Sequence, residues 1–469
     1  MQKLSDVYEQ NVELMDRVLR VDENFDILKK VLTIGQDELT LYYIDGFIKD
    51  GLMEKLMIYF LSLKSTKGSA DEFLTSHAAY VETEVTDDVG LMVKMTLSGA
   101  ALMLGSSFGD RAIILDAREY PARETAEPEN DRVMRGPHDG FVETLIFNTA
   151  LVRRRIRDPH LTMYCTSVGK RSKTDVVISY IEGRADPKLV EQIKRKLAEI
   201  DTDSLTMGAE SLKECLVKSR WYNPFPKVRM TERPDTASAH LYEGSVLLLC
   251  DNSPQVMVLP TTAFDFLQET NDFYFPPLTG TYIRFVRQAV FWLTLFLTPV
   301  WYLLTKNPEL VPGWLEFIIP DETGKIPIIA QLLLVEFIID GLRMASMNTP
   351  DMLANSLSVV GALILGDFAV SIGWLIPEVI LYMAFVAIAN FTQGSYELGY
   401  ALKFLRIGLL VLILAFNLWG FAIGVVGVIL LLVTNNTVTS GHSYLYPLIP
   451  FNGRALRSIF FRVRKKRDE

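Results

Sequence analysis

The chain has 469 residues, 49% of them hydrophobic, with a formal net charge of −9 and an isoelectric point near 5.3. That balance excludes nucleic acid as the main partner, because no broad basic surface is present to release phosphate counterions. The mean hydropathy of +0.20 averages two unlike parts. An acidic, charged stretch runs to about Gln288, and apolar blocks long enough to cross a bilayer follow as far as Val433.

The N-terminus, MQKLSDVYEQNVELMDRVLRVDENFD, is charged throughout and lacks the apolar stretch of a secretory signal, so the large N-terminal part is expected on the cytoplasmic side. Leu4, Val7, Leu14, Val18 and Val21 recur at helical spacing. Residues 39–44 (LTLYYI) are strand formers that stop at the Asp45-Gly46 turn, and 53–63 return to a helical pattern. Residues 91–97 and 112–115 read as further strands. This alternation predicts a first α/β (or α+β) subdomain over residues 1–126.

Residues 128–140 (PENDRVMRGPHDG) read as a loop, and 141–156 (FVETLIFNTALVRRRI) as an amphipathic helix ending in three arginines. Strands follow at 161–168 and 176–181, a helix at 187–200, and strands at 240–250 and 256–259. Residues 127–283 are thus expected to form a second α/β subdomain. The sequence has no phosphate-cradling glycine loop, nucleophile elbow, zinc-protease helix or calcium loop. The five histidines are scattered, and Cys165, Cys215 and Cys250 lack metal-site spacing, which points to free thiols in a reducing compartment. No enzyme, cofactor or metal is expected.

Residues 284–452 read as a helical membrane domain of four to six segments, and 453–469 as a basic cytoplasmic tail. The first span, 288–304, follows Arg284 and Arg287 and carries Trp292, Trp301 and Tyr302 near its ends. The second, 326–345, contains Glu336 and Asp340 on one helix face and Arg343 close enough to pair with Asp340. Such groups face protein or water rather than lipid, so either a structural ion pair or acids along an ion path fits. The third, 352–375, is rich in small residues, which serve close packing or leave room for a conduit. A fourth is 376–391. The stretch 407–433 is longer than a bilayer core requires, and one tilted helix or two short halves both fit. Lys403 and Arg406 before it and the basic tail after it favour a paired or re-entrant arrangement.

Several strings, in order, resemble the A subunits of bacterial spore germinant receptors, the GerA family. They are EPENDRVMRGPHDGFVETLIFNTALVRRRIRDPHL (127–161), TERPDTASAHLYEGSVLLL (231–249), VVGALILGDFAV (359–370), AIAN (387–390) and YLYPLIP (444–450). The chain departs from the family pattern at LRMASMNTP (342–350), GDFAV (366–370) and TSGHSYLY (439–446), which marks a paralogue rather than a typical nutrient receptor. The resemblance implies a multi-pass protein of the spore inner membrane with its N-terminal part facing the core. It also implies a homo-oligomer, a pentamer, that works with other membrane germination subunits and conducts monovalent cations. On one face of the third segment, Asn355, Ser358, Ala362, Leu365 and Ala369 would line a pore, with Leu365 and either Val359 or Ala362 as its constriction. Glu336, Asp340 and Asp367 are the candidates for attracting cations. Glu127, Arg135, Arg153, Arg154 and Arg155 are candidates for an interface with a neighbouring subunit or with headgroups. For the arginines, a solvated helix end that complements the helix dipole fits equally. The rival readings are a secondary transporter, against which stands the lack of an internal repeat in the sequence, and a non-conducting scaffold.

Overall fold

The computed structural model describes residues 3–66, 68–77, 82–119, 133, 135–217, 220–321, 324–348, 369–435, 437–438 and 443–462. The chain divides into two compact units. The first comprises Met1–Lys218, Val228–Thr261 and Val438–Ser440; the second comprises Ser219–Lys227, Thr262–Thr437 and Gly441–Glu469.

The first unit contains the same fold twice. Its first half runs α1 (Tyr8–Leu19), β1 (Ile27–Ile34), β2 (Asp37–Ile44), α2 (Asp50–Ser62), α3 (Ala70–His77), β3 (Thr83–Thr86), α4 (Val89–Leu97), β4 (Ala101–Gly105) and β5 (Ala112–Leu115). Its second half runs α5 (Leu145–Arg155), β6 (Leu161–Val168), β7 (Thr174–Ile181), α6 (Pro187–Ala198), α7 (Ala209–Leu216), β8 (Arg229–Thr231), α8 (Pro234–Tyr242), β9 (Val246–Cys250) and β10 (Val256–Leu259). The sheets are ordered β1-β2-β4-β5-β3 and β6-β7-β9-β10-β8, and every pairing is antiparallel. Of the two fold classes left open by the sequence, this is α+β.

The packing repeats as well. In the first half α1 and α4 cover one sheet face through Met15, Leu19, Met92 and Leu97, and α2 and α3 cover the other through Met53, Phe60 and Phe73. In the second, α5 and α8 cover one face through Leu151, Val152 and Leu241, and α6 and α7 the other through Ile193, Leu197 and Leu212. Covering both faces explains why the inner strand β2 lacks clean alternation. Even a side-chain clamp is duplicated. The Asn11 amide bonds the N–H and C=O of Ser5 (2.8 and 2.7 Å) and reaches Gly109 O at 3.3 Å. The Asn148 amide does the same with Val142 (2.8 and 2.5 Å) and Ser253 O at 3.5 Å.

Two elements differ from the sequence reading. Residues 91–97 are helical, because Asp88 caps the Gly90 N–H at 2.9 Å and starts α4 two residues earlier. Residues 240–250 are not one strand. Pro234 at the first turn starts α8, Gly244 at φ 94° ends it, and only Val246–Cys250 is extended.

The second unit is helical: α9 (Asn271–Tyr274), α10 (Pro277–Lys306), α11 (Ile328–Asn348), α12 (Ala369–Ser371), α13 (Pro377–Phe391), α14 (Tyr396–Val433) and α15 (Gly453–Phe460). The expected polytopic bundle is narrower here. Among the described residues two helices, α10 and α14, are long and apolar enough to cross a membrane, and α13 is a shorter apolar helix. α11 is set apart by three charges, Glu336, Asp340 and Arg343, within its 21 residues.

α14 is not one straight rod. Asn417 stands at φ 53°, ψ −129°, near the first central position of a type II′ turn. A Cβ on Gly420 would fall into the Leu412 carbonyl, and one on Gly424 into the Leu409 side chain. In a straight helix Leu409 and Gly424 would lie about 22 Å apart at 1.5 Å per residue. The chain therefore doubles back at Asn417, and α14 is a tight hairpin of two antiparallel halves, 396–416 and 418–433. Of the two arrangements open in sequence, two short halves is the one found.

Candidate functional site

One group of buried charges of the helical unit converges where α11, α14 and α10 meet. α11 offers Glu336 and Asp340 four residues apart, and the first half of α14 offers Lys403 and Arg406 three apart, so each pair lies on one helix face. Arg406 donates from Nη2 to both oxygens of Glu336 at 2.7 and 2.8 Å, and from Nη1 to the Thr294 carbonyl of α10 at 2.8 Å. Lys403 stands between the two acids, ion-paired with Asp340 and 4.0 Å from Glu336. Glu336, Lys403 and Arg406 are 7%, 7% and 2% exposed. Two acids and two cations cancel, and the network ties three helices together where few other polar partners exist.

The closed end of the hairpin is also tied to α10. Asn307 and Asn417 exchange reciprocal amide bonds of 2.8 and 2.7 Å. Lys306 Nζ donates to the carbonyls of Ile413 and Leu414, at the C-terminus of the first half, where a cation is favoured. At the start of α10, Arg287 donates to both oxygens of the fully buried Asp272 (2.7 and 3.0 Å) and to Glu269 (2.9 Å). Arg284 joins the same Asp272 at 3.3 Å.

In the first unit, Arg153 joins the two repeats. Its Nε and Nη2 donate to Asp26 at 2.9 and 2.8 Å, Nη2 also reaches Asn24 Oδ1 at 3.2 Å, and Nη1 reaches the Leu161 carbonyl at 3.0 Å. Both charged partners are essentially inaccessible to solvent. This corrects the expectation that Arg153 faces a neighbouring subunit or headgroups: α5 is buried on this side and directs the arginine inward. Arg155 likewise turns inside the chain, to Asp139 at 2.6 Å. Arg154 and Arg135 are exposed.

Of the other candidates, Glu127, Asn355, Ser358, Val359, Ala362, Leu365 and Asp367 lie outside the described residues. Ala369 opens α12 and is half-buried. Glu336 and Asp340 are brought together, but each is matched by a cation from α14 rather than left open to ions. The sequence reading missed Lys403 and Arg406 as members of this cluster. Their spacing, complementary to that of the acids in an otherwise apolar helix, was the available signal. Among the described residues no group of three or more His, Cys, Asp and Glu could hold a metal ion.

The family model described as Bacillus/Clostridium GerA spore germination protein matches residues 15–469. The chain belongs to the GerA family. This GerA-family chain is 39% identical over 468 residues to stage V sporulation protein AF of Bacillus subtilis (strain 168), covering 97% of this chain and 92% of that one. It is 28% identical to spore germination protein KA of the same organism, covering 96% and 83%. A crystal structure of the N-terminal domain of the A subunit of the Bacillus megaterium spore germinant receptor GerK3 aligns at 23% identity with a TM-score of 0.42, covering 55% of this chain and 96% of that one. The family-like strings of the first unit pack on each other. Phe141 N–H donates to the Glu232 carbonyl at 2.8 Å, and Arg233 holds the Pro137 carbonyl at 3.0 Å while pairing with Asp235. In this GerA-family chain those strings build the second repeat.

Proposed function

We propose that the chain oligomerises, as a pentamer, into a monovalent-cation channel of the spore inner membrane that promotes ion release during germination. In this reading residues 1–126 and 127–283 form two subdomains on the core side, residues 284–452 the membrane domain and 453–469 a basic tail. Membership of the GerA family, with a membrane-associated helical region, supports the setting.

The observation that carries the reading is the neutral four-charge lock between α11 and α14. It fixes α11, the helix that leads into the stretch 349–368, whose small residues suit a narrow conduit. Leu365 with Val359 or Ala362 forms the constriction, Asn355, Ser358 and Ala369 complete the lining, and Asp367 attracts cations. Glu336 and Asp340 then hold the wall rather than bind ions. Arg135, Arg154 and Glu127 are the residues proposed to contact neighbouring subunits.

The same pairing of both acids favours a second reading, a scaffold that carries the soluble unit without conducting. Potassium flux through vesicles holding the purified full chain separates the two: a channel passes current and a scaffold does not.

A further inference from the structure

The end of the chain reverses its overall sign. Residues 453–469 carry seven Lys and Arg against two acids, a net +5 in a protein of −9. This stretch begins with α15, the most sharply two-faced helix among the described residues. Ile459 is buried and Leu456 and Phe460 are half-buried, whereas Arg454, Arg457 and Phe461 are exposed at spacings of three and four, along one face. Neither Arg454 nor Arg457 has an ion-pair partner among the described residues.

α15 is fastened to the first turns of α10. Arg284 Nη1 donates to the Ser458 and Ile459 carbonyls at 2.6 and 3.4 Å, capping the end of α15. Arg462 donates from its backbone to Thr281 Oγ1 at 3.1 Å and from Nη2 to the Phe273 carbonyl at 2.6 Å. The Phe285 ring meets Phe461 edge-on at 5.6 Å.

The depth of this assembly follows from length. α10 has 30 residues, about 45 Å at 1.5 Å per residue, against a hydrocarbon core of about 30 Å. About ten residues therefore project beyond the core. The first turns are the part that projects, since the apolar block begins near Gln288. There Leu278, Tyr282 and Phe285 are 84%, 68% and 46% exposed along one face, the aromatic-rich surface typical of a bilayer interface.

We propose that α15 and the first turns of α10 form an interfacial platform that binds anionic phospholipid headgroups, with Arg454 and Arg457 facing the phosphates. Phe461, Tyr282 and Phe285 sit at the acyl boundary. The basic face of α15 selects anionic over zwitterionic lipid, and the attachment of α15 to α10 holds that face at headgroup depth. The proposal rests on reading α10 as a membrane span.

The test titrates the detergent-purified full chain with short-chain phosphatidylglycerol or phosphatidylcholine, and separately floats it with vesicles of each lipid. Wild type should prefer phosphatidylglycerol, and Arg454→Gln with Arg457→Gln should weaken that preference about 25-fold, at about fivefold per arginine. Arg454→Lys with Arg457→Lys should restore it, which controls for misfolding. An unchanged preference in the glutamine variant overturns the proposal, as does a wild type that floats with vesicles yet shows no preference. A dimer in lipid-free detergent that the glutamine substitutions disrupt, without lipid preference, assigns the face to a second copy and also overturns it. Failure to float with either vesicle removes the span reading itself.

Discussion

Arg406 Nη2 sits between the two carboxylate oxygens of Glu336, 2.7 and 2.8 Å from them, with both side chains buried. A buried pair of this kind adds little stability over an apolar pair of the same volume, but losing one partner strands the other charge. Arg406→Met should therefore destabilise the full chain by about 3–5 kcal/mol, seen as a lower thermal midpoint in detergent. Glu336→Met with Arg406→Met should recover most of the loss. A double variant no better than the single one would show that the two residues do not act as a pair.

The Arg153–Asp26 contact predicts a second stranded charge. Asp26→Ala leaves a buried guanidinium without its carboxylate and should cost about 3–5 kcal/mol. Arg153→Lys keeps the charge but loses the fork and should cost less, about 1–3 kcal/mol. Hydrogen exchange should rise at β1 and β6, the strands nearest the contact, before it rises at β4 or β9. Uniform loosening of both sheets would contradict its role as the tie between the repeats.

His240 gives a pH signature. Burial, with help from Arg229, pushes its imidazole down to about 3, while the exposed Glu243, 3.9 Å away, pulls weakly the other way. The folded state therefore takes up its proton at lower pH than the unfolded state. The stability this group contributes is complete above about pH 6.5 and is lost as pH falls from there toward 3, at up to about 1.4 kcal/mol per pH unit. His240→Asn should flatten the fall in thermal midpoint between about pH 6.5 and 5, a range in which ordinary carboxylates stay ionised. Identical slopes for both proteins would place the imidazole in contact with solvent.

The hairpin at Asn417 can be trapped covalently. Leu409→Cys with Gly424→Cys, with the native cysteines replaced by serine, should form a disulfide on mild oxidation of membranes containing the full chain. In a straight helix the two positions are about 22 Å apart, far beyond disulfide reach. Absence of the cross-link would restore the single long helix.

Much of the fold of the first unit was legible because its signals are local. The Asp45-Gly46 turn ends β2 where the sequence placed it, and the strand expected at 161–168 and the helix expected at 187–200 are β6 and α6. Short apolar runs were not legible, since 91–97 fits a buried strand or a helix equally until the Asp88 cap decides. The repeat was invisible for a different reason. Asn11 and Asn148 share a role, yet the residues around them (SDVYEQN and VETLIFN) share almost nothing else, because antiparallel α+β packing constrains burial rather than identity. In the helical unit, charge beside apolar blocks was read as a marker of the cytoplasmic flank. Lys403 and Arg406 escaped that rule because their partners lie 63 to 70 residues away on α11, a separation that no local pattern reports.

The most direct test of the account is potassium flux through liposomes containing the purified full chain, measured for wild type and Leu365→Ala side by side. A channel gated by an apolar constriction predicts cation current in the wild type and a larger leak in the variant. Silence from both proteins, at a density confirmed by recovery from the vesicles, would contradict conduction and leave the scaffold reading in its place.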